Sequence, residues 1–270
     1  MNLVTTKQVG ISMNIVITGA SSGIGKILSE YFISQNHNVC KISRSKLEGF
    51  SIQCDVSNLE SVQKSVDLIG NHWTNVDCLI CCAGTQWPIG PAMNVNPVEW
   101  VDCINTNLIG TYYTIHSFNK LMKNSKIICF SGGGSTSSRP NFSSYAVSKI
   151  GVVKLVEILA EELKDNVEIN AIAPGAFFTN MTKEVLSNPT LSGEKELNSA
   201  KNLSTDNTEK TEKLIKLIEF LLYNKGITGK LISAQWDDLD EINKYVDEIK
   251  NSDVYTLRRI LPTDRNLKWS

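Results

Sequence analysis

Short apolar runs alternate with amphipathic stretches along most of this chain, and that alternation constrains the fold more than any single residue does. "MNIVIT" (13–18), "NVCKIS" (38–43), "FSIQCDV" (50–56), "VDCLICC" (76–82), "SKIICF" (125–130) and "VEINAIAP" (167–174) each read as a strand. Between the first two, Ile24, Leu28, Tyr31 and Phe32 share one helical face; further on, Leu59, Val62, Val66 and Ile69 share another. Helices are also predicted over 97–107, 110–122, 142–164 and 207–223, with a last strand at 229–234. Strands that are apolar throughout and separated by helices belong to a parallel sheet covered on both faces. The expected fold class is therefore α/β: a Rossmann-type, doubly wound parallel β-sheet flanked by helices, in a single domain.

Three segments fall outside that pattern. Residues 1–12, "MNLVTTKQVGIS", show no periodicity and read as an N-terminal extension, with Met13 a second candidate start. Residues 180–208 turn polar and offer few core anchors, so they read as a substrate lid or a partly disordered stretch within the 13–234 domain. Residues 235–270 are expected to form a helix with an acidic start, which suits its dipole, and then an apolar and basic tail.

Composition removes several function classes. A chain of 270 residues with 41% hydrophobic content and a net charge of −1 can bury an ordinary core and has no basic excess for nucleic acid. Apolar runs such as "KIICF" and "LIEFLL" are too short to span a bilayer, and the start has no signal-peptide core, so a cytoplasmic location without membrane attachment is expected. Seven cysteines, an odd number, fit reduced thiols. The Cys78/Cys81 C-x-x-C spacing lies within one strand and lacks a second ligand pair; it reads as buried strand cysteines, with no metal expected.

Function enters with "TGASSGIG" (18–25), which follows the first strand and opens the first helix. Glycines at Gly19, Gly23 and Gly25 let the backbone turn tightly and approach a pyrophosphate, whose charge a helix N-terminus favours. The T-G-x-x-x-G-x-G spacing resembles the short-chain dehydrogenase/reductase family. "CDV" (54–56), "CCAG" (81–84), "NTNLIG" (105–110), "YAVSK" (145–149) and "INAIAPGAFFT" (169–179) extend the resemblance in order from Met13 to about Ala234. It implies a nicotinamide cofactor across the carboxyl ends of the strands. Gly19, Ser21, Ser22, Gly23, Ile24 and Gly25 would hold the pyrophosphate. Asp55 and Val56 would touch adenine; Cys82, Ala83 and Gly84 would line the ribose, with Cys82 standing where the family usually has asparagine. Pro174, Gly175 and Thr179 match the segment holding the nicotinamide end.

The second strand ends in Ser43 and Arg44, where an acidic residue would favour NAD. A guanidinium pairs with a ribose 2′-phosphate through two charge-assisted hydrogen bonds, so NADP is favoured; the alternative is that Arg44 is a solvated loop residue.

Tyr145 and Lys149 lie four residues apart and share a helix face. Carbonyl reduction needs a proton donor beside the hydride acceptor, and a nearby ammonium is expected to lower the tyrosine pKa toward that task. This is the only Y-x-x-x-K in the chain, and it follows the fifth strand. Asn107 matches the family's catalytic asparagine, implied to help hold a water between the lysine and solvent. The family's catalytic serine position is occupied by Gly132, within "SGGGS" (131–135). Three readings stay open: Ser131 or Ser135 reaches the substrate oxygen, a backbone N–H or substrate group polarises it, or the chemistry is lost. Loss of one such donor costs about 2.7–4 kcal/mol, which slows a reaction without abolishing it.

Phe177, Phe178, Met181, Trp87 and Pro88 are candidate apolar substrate contacts, and Arg258 with Arg259 in the tail could reach a phosphate or carboxylate. "SGGG" together with "LISAQWDD" and "YTLRRI" resembles a subgroup associated with surface-carbohydrate biosynthesis, which implies a sugar or nucleotide sugar as substrate. The family also implies a homodimer or homotetramer. The expected function is NADP-dependent oxidoreduction of a carbonyl or secondary alcohol; the alternative is a weakly active NADP-binding sensor or structural subunit.

Overall fold

The computed structural model describes residues 12–268, so most of the predicted N-terminal extension lies outside the described residues. Seven strands form one sheet: β1 (Asn14–Thr18), β2 (Asn38–Ser43), β3 (Ser51–Gln53), β4 (Cys78–Cys81), β5 (Ser125–Phe130), β6 (Val167–Ala173) and β7 (Leu231–Ser233). Their spatial order is β3-β2-β1-β4-β5-β6-β7, and every neighbouring pair is parallel. The expected doubly wound sheet is present, and its order reverses between β1 and β4. Thr18 at the end of β1 pairs in register with Ile42 on one side and Cys81 on the other. At that reversal the loops after the two strands diverge and leave a crevice, the place where open α/β sheets bind ligands.

Helices cover both faces. Ile15, Ile17, Ile80 and Ile128 face α1 (Gly23–Ser34) and α9 (Thr208–Tyr223), meeting Leu28, Phe32, Leu217 and Ile218. Val16, Leu79 and Ile127 face the other way, toward α2 (Leu59–Gly70), α4 (Gly110–Phe118) and α5 (Ser143–Glu162), meeting Val62, Val66, Phe118, Val152 and Val156. Each fully buried side chain of this size contributes about 1.5–3 kcal/mol relative to exposure. Cys78 joins the first cluster and Cys81 the second, so the C-x-x-C pair points to opposite faces of the sheet and cannot share a ligand.

Residues 180–208, expected as a mobile lid or a partly disordered stretch, carry three helices, α6 (Asn180–Ser187), α7 (Pro189–Ser192) and α8 (Glu194–Lys201). Their anchors are sparse but real: Val185, Ser192 and Ala200 are buried, the Ser192 hydroxyl donates to Val185 O at 3.1 Å, and the Gln86 amide donates to Met181 O. After β7 the acidic helix is split into α10 (Leu239–Lys244), capped by Asp238, and α11 (Val246–Lys250). The tail then returns along the sheet edge, where Leu231 N donates to Tyr255 O at 2.8 Å and Lys230 Nζ donates to Ser252 O and Val254 O at 2.6 and 3.1 Å. An otherwise open strand edge is thereby partly paired.

α3 (Pro97–Ile104) runs into α4 through a π turn, Asn105–Ile109, where separate helices were expected on either side of Asn107. A π turn inserts one extra residue and re-aims the side chains around it. Here it places Asn107 at the buried centre of the site.

Candidate active site

The glycine turn after β1 is shaped by close backbone approach. Gly19 has φ +69°, and a Cβ there would sit 2.7 Å from the Ala83 backbone; a Cβ on Gly25 would lie 2.5 Å from Gly19 O. Gly23 also has positive φ, at +53°. Ser22 begins α1 in extended geometry without a side-chain cap, and no acidic residue stands in the first turn. The turn therefore presents the uncapped end of a twelve-residue helix, which favours an anion. Across the switch point Ala83 N donates to Thr18 Oγ1 at 3.2 Å, and Thr179 at the start of α6 approaches Gly23, so the predicted residues from three loops meet at one crevice. A cradle that only glycine backbone permits fits a dinucleotide pyrophosphate.

At the end of β2, the Ser43 hydroxyl is engaged by its own turn at Ser45 O, while Arg44 is exposed and has no ion-pair partner among the described residues. Asp55 is exposed and accepts from Ser57 N at 3.0 Å; Val56 is buried against Gly110.

The catalytic candidates converge at the start of α5. Tyr145, Ser148 and Lys149 are buried on one face, and Asn107 is fully buried opposite them. Asn107 ties the site together: its Oδ1 accepts from Thr85 N at 2.8 Å, and its Nδ2 donates to Thr85 O and Ser148 Oγ at 2.8 and 2.9 Å. Gly84 leaves room for both Asn107 Oδ1 and Lys149 Nζ, which would lie 3.1 and 3.6 Å from a Cβ there. Lys149 Nζ donates to Phe130 O at 2.9 Å and stands 5.7 Å from the Tyr145 ring centroid.

Burial pushes the Tyr145 phenol up, and the Arg139 cation opposes this. Burial also pulls Lys149 down, with the thiols of Cys82 and Cys129 acting against it. Both cations stand near the tyrosine ring, Arg139 5.4 Å and Lys149 5.7 Å from its centroid.

Gly132 now has a steric reason. A Cβ on it would lie 2.7 Å from Tyr145 Cζ and 2.9 Å from Cε1, and closer still to the phenol oxygen. The tyrosine hydroxyl occupies the space a side chain at 132 would need. Ser131 and Ser135 are both buried beside it, with the Ser131 hydroxyl donating to Ser135 Oγ at 2.8 Å. Because Ser135 accepts that bond, its own hydroxyl proton is available to another acceptor.

Tyr145, Ser131, Ser135, Pro174, Gly175 and Thr179 open on a cavity of about 640 Å³. Phe177 and Met181 line it as expected, joined by Val185, Leu203 and Trp236, while Gln86 rather than Trp87 forms the adjoining wall. Phe178 instead donates its N–H to Asn207 at 2.9 Å. Neither tail arginine lines the cavity; Arg258 pairs with Asp264 at 2.7 Å.

The short chain dehydrogenase family profile matches residues 13–190. The chain belongs to that family. This short-chain dehydrogenase is 29% identical over 180 residues to the 3-oxoacyl-[acyl-carrier-protein] reductase MabA of Mycobacterium tuberculosis, an alignment covering 64% of this chain and 72% of the relative. Among solved structures it resembles ElxO with NADP bound (TM-score 0.70, 27% identity, 83% of this chain and 97% of that one). The ligand-free aldohexose dehydrogenase of Thermoplasma acidophilum shares the fold (TM-score 0.71, 23% identity, 82% and 92%). The protein is thus an oxidoreductase of the nicotinamide-dependent short-chain dehydrogenase type. Among the described residues, no helix is long and apolar enough to cross a membrane.

Sequence reasoning missed Thr85, Ser148 and Arg139. Ser148 lies inside "YAVSK", and its place beside Tyr145 and Lys149 on one helical face was an available signal. Arg139 has no such signal, because its partners come from α5 and α8.

Proposed function

We propose that this short-chain dehydrogenase uses NADP and interconverts a carbonyl and a secondary alcohol, with Tyr145 transferring the proton. The single observation that carries this reading is the placement of the Tyr145 phenol, buried against Gly132 and lining a cavity that Ile24 of the glycine turn and Thr179 also line. A nicotinamide cofactor bound there would supply or accept the hydride. Gly19 to Gly25 would hold its pyrophosphate, Cys82 to Gly84 and Lys149 its ribose, and Pro174, Gly175 and Thr179 its nicotinamide end. Arg44, exposed and without an ion-pair partner, is available to a 2′-phosphate, which favours NADP over NAD.

In reduction, Tyr145 gives its proton to the substrate oxygen while the Ser135 hydroxyl polarises that oxygen. Ser131 fixes Ser135 by donating to it. Asn107 fixes Thr85 and Ser148, and through Ser148, which donates to Tyr145 O at 2.7 Å, the first turn of α5. The hydroxyl-rich wall of Ser135 to Ser138 and Ser199 suits a polyhydroxylated substrate such as a sugar or nucleotide sugar, while Phe177, Met181 and Leu203 suit an apolar arm. A homodimer or homotetramer is expected.

The test is a panel of keto-sugars, nucleotide sugars and 3-oxoacyl thioesters with NADPH and NADH, followed at the reduced-nicotinamide absorbance. The expected result is oxidation of NADPH with a hydroxylated carbonyl substrate and weaker use of NADH. NADPH binding with no turnover of any substrate class would favour the sensor reading instead.

A further inference from the structure

Gly132 leaves space for the Tyr145 hydroxyl, and the loop beyond it runs against Ala146 and Arg139: a Cβ at 134 would lie 2.7 Å from Ala146 Cβ and 3.0 Å from Arg139 Cβ, while Gly133 is in ordinary contact range, 3.6 Å, of Arg139 Cδ. The guanidinium is then fixed on three sides. Its carbon stands 3.9 Å from the Phe142 ring centroid and 5.4 Å from that of Tyr145, both within cation–π range. Its Nη2 donates to Glu196 Oε2 at 2.7 Å, with both side chains largely buried.

We propose that Arg139, seated on the glycine loop and clamped by Glu196 of α8, is a positioning residue that holds a fixed positive charge beside the Tyr145 ring. The proposal rests on Tyr145 being the proton donor. It gives the "SGGG" loop a purpose: Gly132 admits the tyrosine hydroxyl, and Gly134 lets the chain pass close to Ala146 and Arg139, whose cation stands beside the tyrosine ring. It also makes that cation depend on a helix of the substrate-side segment, since Glu196 reaches Arg139 only when α8 packs over the loop.

The charged and titratable groups around Tyr145 are few. Lys149 lies on its own helix and Cys103 on α3; Arg139 comes from the preceding loop, and Glu196 from α8 acts through Arg139. Lys195 and Asp237 line the shared cavity. Of these, Arg139 and Lys149 are the cations near the ring, and Arg139 is the one that opposes the effect of burial on the phenol from outside α5.

The test uses the full chain carrying tyrosine labelled with ¹³C at Cζ, with the Tyr145 signal assigned by its absence in Tyr145→Phe, and follows that signal with pH. Arg139→Gln is expected to move the Tyr145 midpoint up by about one pH unit, a tenfold fall in phenolate at any lower pH. Arg139→Lys, which keeps the charge, is expected to stay close to wild type. Glu196→Gln removes the carboxylate that neutralises the guanidinium while an amide oxygen can still hold it, so it is expected to move the midpoint down by a smaller amount, and it carries the test if Arg139→Gln fails to fold. An unchanged or lowered midpoint in Arg139→Gln overturns the proposal. So does an Arg139→Lys shift as large as that of Arg139→Gln, an unmoved or raised midpoint in Glu196→Gln, or no wild-type midpoint before alkaline unfolding. No substrate or turnover is needed, so failure here is distinct from failure of the oxidoreductase reading, which Tyr145→Phe kinetics decide.

Discussion

Gly132→Ala is the sharpest perturbation of the site, because it adds one methyl group in the space that the Tyr145 hydroxyl occupies. Gly132 lies outside the left-handed region, so alanine carries no backbone penalty there and the added Cβ alone is tested. That Cβ would stand 2.7 Å from Tyr145 Cζ, whereas ordinary contact begins at about 3.4 Å. The ring must therefore retreat by at least about 0.7 Å, and its hydroxyl by more. Misplacing a reacting group by about 1 Å costs on the order of 100-fold in rate, or about 2.7 kcal/mol. Overpacking a tight site costs about 1–3 kcal/mol of stability, which for a chain of this size lowers Tm by several degrees. Gly132→Ser should behave alike, losing activity although it adds a hydroxyl beside the phenol. Steady-state kinetics with NADPH and differential scanning calorimetry measure both effects. A Gly132→Ser protein as active and as stable as wild type would refute the reasoning, since it would show that Tyr145 does not need the space.

Other consequences are equally direct. Asn107→Ala strands the backbone N–H of Thr85 and leaves its carbonyl only the weak Cys103 thiol donor, and an unsatisfied buried group costs about 1–3 kcal/mol, so a clear drop in denaturant midpoint is expected in urea titrations. Gly19→Ala combines φ +69° with a backbone clash at Ala83 and should weaken NADPH binding measured by calorimetry at least tenfold; unchanged affinity would remove the glycine turn from the cofactor site. Arg44→Ala should weaken NADPH binding while leaving NADH binding near wild type, and equal loss for both would remove Arg44 from the 2′-phosphate. His37 accepts from Met13 N at 3.1 Å, and its partial burial lowers its pKa from 6.5. The unfolded chain then binds more protons between the two values. Stability is full above about pH 6.5 and declines as pH falls through that window, a slope that His37→Asn should flatten in pH-dependent thermal melts.

Much of this fold was legible because parallel strands declare themselves as unbroken apolar runs and their covering helices as one-sided ones. "MNIVIT" and "SKIICF" need no context to be read as buried strands. The glycine turn was legible for a related reason: its glycines answer to local backbone geometry, and Gly19 and Gly25 indeed sit where a Cβ would collide with main chain. Residues 180–208 were less so. Their helices rest on a handful of small anchors, Ser192 and Ala200 among them, that carry no hydrophobic signal. The π turn at Asn105–Ile109 leaves no trace in composition at all. The site divides along the same line. The tyrosine and lysine follow a spacing and the asparagine came with the family resemblance, whereas Arg139 acts through Phe142, Tyr145 and Glu196, contacts that only the tertiary fold creates. The absent side chain at 132 was visible in the sequence, but its cause, the phenol filling that volume, was not.

The most direct measurement of the central claim compares wild type with Tyr145→Phe for NADPH affinity and for NADPH-dependent turnover of the carbonyl substrate. Removing the proton donor while keeping the ring should leave the NADPH dissociation constant nearly unchanged and lower kcat by about 10²–10⁴-fold. A Tyr145→Phe protein that turns over at the wild-type rate would contradict the account.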